Sequence, residues 1–239
     1  MADPRHHPQR FATTRWSMVL RAGEAESSGA RRALEDLCAL YWHPLYAYAR
    51  RRGHDEEDAR DLTQAFFGKL LAKGDLRVAD PARGRFRTFL LTAMKNFLAG
   101  EWRKDQTRKR GGNVDILPFD FDSAEASYRL EPSHETSPER LFERRWALAV
   151  LDQALVEIET HYRRTGRAEL FDALKEHLMG DVPYAELAEQ LAMKPGAVRT
   201  AMSRLRSRWR ERLRALIAET VDETAEVEDE LGLLVTAVC

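Results

Sequence analysis

The feature that most restricts the fold lies between Val182 and Leu216, where a tight break separates two amphipathic helical patterns. Pro183 suits the first turn of a helix, Leu187 and Leu191 give that helix one apolar face, and Lys194-Pro195-Gly196 interrupts and restarts the chain. In the second pattern Val198, Met202, Leu205, Trp209, Leu213 and Leu216 step by three or four residues and so share one side of a helix. Arg199, Arg204, Arg206, Arg208, Arg210, Arg212 and Arg214 crowd the other faces, with only Glu211 against them locally. Two helices meeting at a tight turn, the second apolar inside and cationic outside, make the pattern of a helix-turn-helix. Its second helix enters the major groove, where Arg bonds guanine edges and further cations neutralise phosphates. Arg199, Thr200, Ser203, Arg204 and Arg206 are the candidate DNA contacts; the alternative is a solvated basic face on an ordinary helical hairpin.

The rest of the chain also reads as helix. Apolar residues recur at helical spacing at Leu34, Leu37 and Tyr41, at Leu62, Phe66 and Leu70, and at Phe86, Phe89, Leu90 and Met94. No strand-like alternation appears there, and Gly53, Gly74 and Asp80-Pro81 divide this part into three or four helices. The expected fold is therefore all-α, with two small helical domains at residues 11–112 and 140–217. Between them, residues 113–139 carry seven acidic residues against Arg129, together with Pro118, Pro132 and Pro138, and read as an acidic linker. Its Ile116, Leu117, Phe119, Phe121 and Tyr128 are unusual for an inert spacer and imply docking on a partner. Residues 218–239 form an acidic tail with an apolar end, either a continuation of the last helix or a mobile extension. Folding of this tail back onto the basic C-terminal domain is a further expectation from charge.

Charge excludes a uniform nucleic-acid coat, because 38 Lys+Arg face 39 Asp+Glu. Cys38 and Cys239 support neither a disulfide framework nor a metal site. The N-terminal residues lack a signal-peptide core and no run is long and apolar enough for a membrane span, so a cytoplasmic protein without membrane insertion is expected. His54, Asp55, Asp58 and Asp61 cluster, but no second ligand run, phosphate loop or placed nucleophile accompanies them. Neither catalysis, a cofactor nor a metal is expected.

Asp58-Ala59-Arg60-Asp61-Leu62-Thr63-Gln64-Ala65-Phe66-Phe67 resembles the polymerase-binding helix of extracytoplasmic-function sigma factors of the sigma-70 family. Arg85-Phe86-Arg87-Thr88-Phe89-Leu90 with Lys95-Asn96-Phe97-Leu98 resembles their promoter-melting segment, and Tyr184-Ala185-Glu186-Leu187-Ala188 through Val198-Arg199 to Arg204-Leu205-Arg206 resembles their second domain. The resemblance implies a first domain that binds RNA polymerase core, through Asp58, Asp61, Gln64 and Phe67, and captures the -10 element of promoter DNA. It implies a second domain that reads the -35 element, and a linker that runs toward the polymerase active-site cleft, with Asp120 and Asp122 imitating nucleic acid. Promoter opening needs cations interleaved with aromatic rings, which Trp102 with Arg103, Lys104, Arg108, Lys109 and Arg110 supplies, while Asn96 on the same helix can hydrogen-bond a base edge. The loop from Lys73 to Arg83 stands where the family forms a pocket for an extruded base.

This sequence departs from the family at Arg60 and Ala65, where acidic residues are usual. Two missing negative charges beside a basic clamp weaken binding, and phosphorylation of Thr63 would restore a similar charge. Thr63 is thus the expected regulatory phosphosite and a Ser/Thr kinase the matching partner, unless Thr63 is an ordinary helix residue and Glu57, Asp58 and Asp61 suffice. An anti-sigma factor is a further partner compatible with the resemblance. The rival function is a conventional helix-turn-helix regulator that binds operator DNA without polymerase.

Overall fold

A computed structural model describes residues 28–73, 85–105, 119–131, 136–219, 221 and 224–238. Among them the chain is all-helical: α1 (Ser28–Arg51), α2 (Glu56–Lys73), α3 (Phe86–Asp105), α4 (Phe121–Arg129), α5 (Pro138–Arg164), α6 (Ala168–Lys175), α7 (Tyr184–Gln190), α8 (Pro195–Ala218) and α9 (Thr224–Val238). They divide into two compact units, one up to Ala149 together with Ile217 onward, the other Val150–Leu216. Long α5 contributes to both.

In the first unit α1 is buried along one continuous stretch, Leu45 to Ala49, because neighbouring helices cover it from several sides. Gly53, at φ +97°, makes the left-handed turn that ends α1. Asp55 then accepts a bond from the Asp58 amide at 2.8 Å, and Glu56, Glu57 and Asp58 fill the first turn of α2. This acidic run suits the positive end of the helix dipole, so part of the local charge has a structural cause. Phe66, Phe67 and Leu70 of α2, with Phe86, Leu90 and Met94 of α3, are buried in this unit. From α5, Trp146 donates its indole N–H to Tyr41 at 3.1 Å, which satisfies a buried donor.

Two sequence expectations change here. The acidic stretch is not extended throughout: Asp120 caps α4 by accepting from the Ser123 amide, and Phe119 and Phe121 dock on α1. Phe119 stacks on Trp42 with ring centroids 5.0 Å apart and meets Phe67 edge-on at 5.4 Å. Phe119 and Phe121, which looked out of place in a spacer, thus find partners inside the same chain, whereas Ile116 and Leu117 lie outside the described residues. The tail is neither a continuation of α8 nor wholly irregular, for α9 is a separate helix of the first unit, where Glu230 pairs with Arg85 and Arg87.

In the second unit Ile158, Tyr162, Phe171, Leu174, Leu187, Val198, Met202 and Leu205 form one core. The break between α7 and α8 falls at Leu191–Lys194, so Pro195 opens α8 at the position that needs no N–H. The left-handed residue of that turn is Ala192, at φ +50°, and Gly196 lies within the helix. A Met193 amide bond to the Ala188 carbonyl at 2.9 Å closes it.

Candidate polymerase and nucleic-acid interfaces

Glu125 organises the side of the first unit where α4 lies. Its carboxylate accepts from Tyr46 Oη at 2.7 Å, Arg50 Nε at 2.8 Å, Arg50 Nη2 at 2.9 Å and Arg129 Nε at 3.0 Å. Burial pushes this carboxyl up, but the bonds from Arg50, Tyr46 and Arg129 prevail and hold it at about 2. Burial together with the bond to Glu125 raises the Tyr46 hydroxyl. Arg50 also donates to the His54 carbonyl at 2.7 Å, so one guanidinium joins α4 to the turn before α2.

The predicted polymerase contacts separate on this surface. Asp61 is exposed, while Asp58 and Gln64 are partly exposed. Phe67 is 0% exposed and packs against Phe66 and Phe119, so it supports the helix from inside and is corrected from contact to core residue. Arg60 does not stand as an uncompensated positive charge. It pairs with Asp122 at 2.9 Å and stacks over the Phe121 ring at 5.5 Å.

Thr63 is likewise corrected. It is 0% exposed, and its hydroxyl donates to the Ala59 carbonyl one turn earlier at 2.7 Å. A kinase has no surface to reach there in this conformation, and a phosphoryl group would have to be buried. The phosphosite reading took Thr63 for a surface residue, but it faces the core beside Ala59 and Phe66.

Of the predicted -10 contacts, Asn96 is exposed on α3. Trp102, Arg103 and Lys104 lie in its last turns, but their side chains fall outside the described residues, as do Arg108 and the predicted base pocket. The cationic cluster missed by motif reading stands at the other end of α3, where Arg85 and Arg87 meet Glu230. A signal existed, because Glu230 interrupts the inner stripe of Val227 and Leu234 at helical spacing.

In the second unit Arg199, Thr200, Ser203 and Arg204 are exposed on the first turns of α8. The Arg199 guanidinium lies 5.2 Å from the Tyr184 ring centroid, and Thr200 donates to the Gly196 carbonyl at 2.9 Å. Arg206 has other work. It donates to the carbonyls of His177 at 3.0 Å, Leu178 at 3.2 Å and Gly180 at 2.8 Å, which closes the chain end after α6. It is therefore corrected from base contact to structural residue, and Arg212 is similarly engaged by Glu157.

Residues 39–108 match the family model described as Sigma-70 region 2, a span running from within α1 past the end of α3. Over this span the chain is similar to sigma-70 region 2. This match supports a sigma-70 family sigma factor, whose work is transcription initiation with RNA polymerase core. Neither the curated proteins nor the solved structures returned a match. Among the described residues, no helix beyond this domain or within it is long and apolar enough to cross a membrane.

Proposed function

We propose that this protein is a sigma factor of the extracytoplasmic-function type that directs RNA polymerase core to promoters in the cytoplasm. The observation that carries the reading is the region 2 match, seated on helices that leave Asp61 and Asn96 accessible. The first unit is the polymerase-binding and -10 domain, with Asp58, Asp61 and Gln64 toward the polymerase and Asn96, Trp102, Arg103, Lys104 and Arg108 toward DNA. In the second unit, α7 and α8 form a helix-turn-helix for the -35 element, read by Arg199, Thr200, Ser203 and Arg204. Arg199 is suited to this role because the Tyr184 ring limits its orientations, lowering the entropy lost on contact with a base.

Arg60 is compensated by Asp122, so no phosphoryl group is needed to cancel repulsion at α2. Kinase control would instead require Thr63 to become accessible. An anti-sigma partner would use the same accessible α2 face as the polymerase.

Co-purification with bacterial core polymerase tests the reading, followed by promoter binding with and without core. A sigma factor is retained by core and binds promoters specifically only in its company. Tight, specific duplex binding by the protein alone, with no retention by core, would instead establish the conventional regulator.

A further inference from the structure

One outer stripe of α2 carries Glu57, Arg60, Asp61 and Gln64, which helical spacing places on the same side. Left to its own helix, Arg60 would neutralise this stripe, because Glu57 lies three residues before it and Glu56 four. The structure draws the guanidinium away. Arg60 Nη2 stands 2.9 Å from Asp122 of α4 but 3.9 Å from Glu56, and the guanidinium lies over the Phe121 ring. Glu56 is bonded instead by Arg129 of α4 at 2.9 Å. Glu57 and Asp61 are exposed and enter no ion pair among the described residues.

The pair between Arg60 and Asp122 does little to hold α4 down. Asp122 is 92% exposed and Arg60 42%, so solvent screens their attraction. The helix is anchored independently, by Phe119 and Phe121 on Trp42 and by the bonds from Tyr46 and Arg50 to Glu125. What the pair changes is the charge that α2 shows. With Arg60 turned toward α4, Glu57 and Asp61 stand one helical turn apart as two uncompensated carboxylates, and the partner that fits them is a basic protein surface.

We infer that Asp122 is a positioning residue for polymerase binding: it holds Arg60 against α4, so that Glu57 and Asp61 meet a basic surface of core without an intervening cation. The inference rests on reading α2 as the polymerase-binding helix. It makes α4, which lies beyond the span matched to region 2, a working part of that interface.

The affinity of the full chain for core polymerase, measured across a salt series, tests it with four proteins: wild type, Asp122→Asn, Asp122→Glu, and Asp122→Asn combined with Arg60→Gln. Asp122→Asn should bind roughly fivefold more weakly, the effect of one unit charge acting over about 4 Å in water. The deficit should shrink between about 0.1 M and about 1 M salt, as screening shortens from about 10 Å to about 3 Å. Asp122→Glu should bind as wild type does, and Arg60→Gln should restore the Asp122→Asn variant. Equal affinity of Asp122→Asn and wild type, or a loss that Arg60→Gln does not relieve, would overturn the inference. So would a loss that tracks a lowered melting transition of the first unit, which would assign Asp122 to holding α4 in place. Wild-type retention separates this inference from the reading beneath it. If core retains the wild type and Asp122→Asn equally, only the role of Asp122 falls; if core retains neither at any salt, the sigma reading falls with it.

Discussion

Replacing Glu125 with Gln removes the charge that four hydrogen bonds converge on while preserving side-chain size. The folded carboxyl is lowered from 4.5 to about 2, which at roughly 1.36 kcal/mol per pKa unit corresponds to about 3 kcal/mol near neutral pH. Because Arg129 is 68% exposed, solvent screens its share, and about 2 kcal/mol is the working figure. The sign follows from the depressed folded value. Stability is fully present above the unfolded pKa near 4.5 and is lost as pH falls through the folded value near 2. Urea denaturation of wild type and Glu125→Gln, followed by far-UV circular dichroism, should therefore show a gap of about 2 kcal/mol near pH 7. That gap should shrink to less than half by about pH 3. Only the transition of the first unit should move. A gap independent of pH, or absent near pH 7, would refute the role assigned to the ionised carboxylate.

Thr63→Glu should lower the melting temperature of the first unit, reflecting a loss of about 3 kcal/mol or more from an unpaired buried charge; a variant as stable as wild type that bound polymerase better would restore the phosphosite reading. Phe119→Ala should cost about 2 kcal/mol, less than for a fully buried ring, and should expose Trp42 to fluorescence quenchers; unchanged quenching would show that α4 does not cover this face. Arg206→Ala should destabilise the second unit by about 2 kcal/mol through three lost carbonyl bonds, with sequence preference for duplex DNA retained by the folded fraction. Arg199→Ala should instead leave melting unchanged and cost about 1–3 kcal/mol of promoter affinity with relaxed specificity at one position; the opposite pattern in either pair would reverse their assigned roles.

Helical class and the inner stripe of α8 were legible because apolar spacing is a local property: Val198, Met202 and Leu205 point inward wherever the helix is placed. Arg206 was harder to assign, since a cation beside Arg204 looks the same in sequence whether it meets DNA or caps a neighbouring helix. Thr63 was misread for a related reason. Its small polar side chain satisfies itself on the Ala59 carbonyl, so it can occupy the inner face without an external partner. Glu125 and Glu230 were the stronger missed clues. Each breaks an apolar stripe at helical spacing, and each has an arginine partner far away in the chain, Arg50 for Glu125 and Arg87 for Glu230, a pairing that local periodicity cannot express.

The first unit is assembled from two separated lengths of chain, with Val150–Leu216 lying between them in sequence. During synthesis the intervening unit is therefore complete before α9 leaves the ribosome, while Arg85 and Arg87 still lack their carboxylate from position 230. The second unit can mature early on contacts within a short span. Closure of the first must await the synthesis of α9, and its slowest folding step should be the docking of α9 across that long separation.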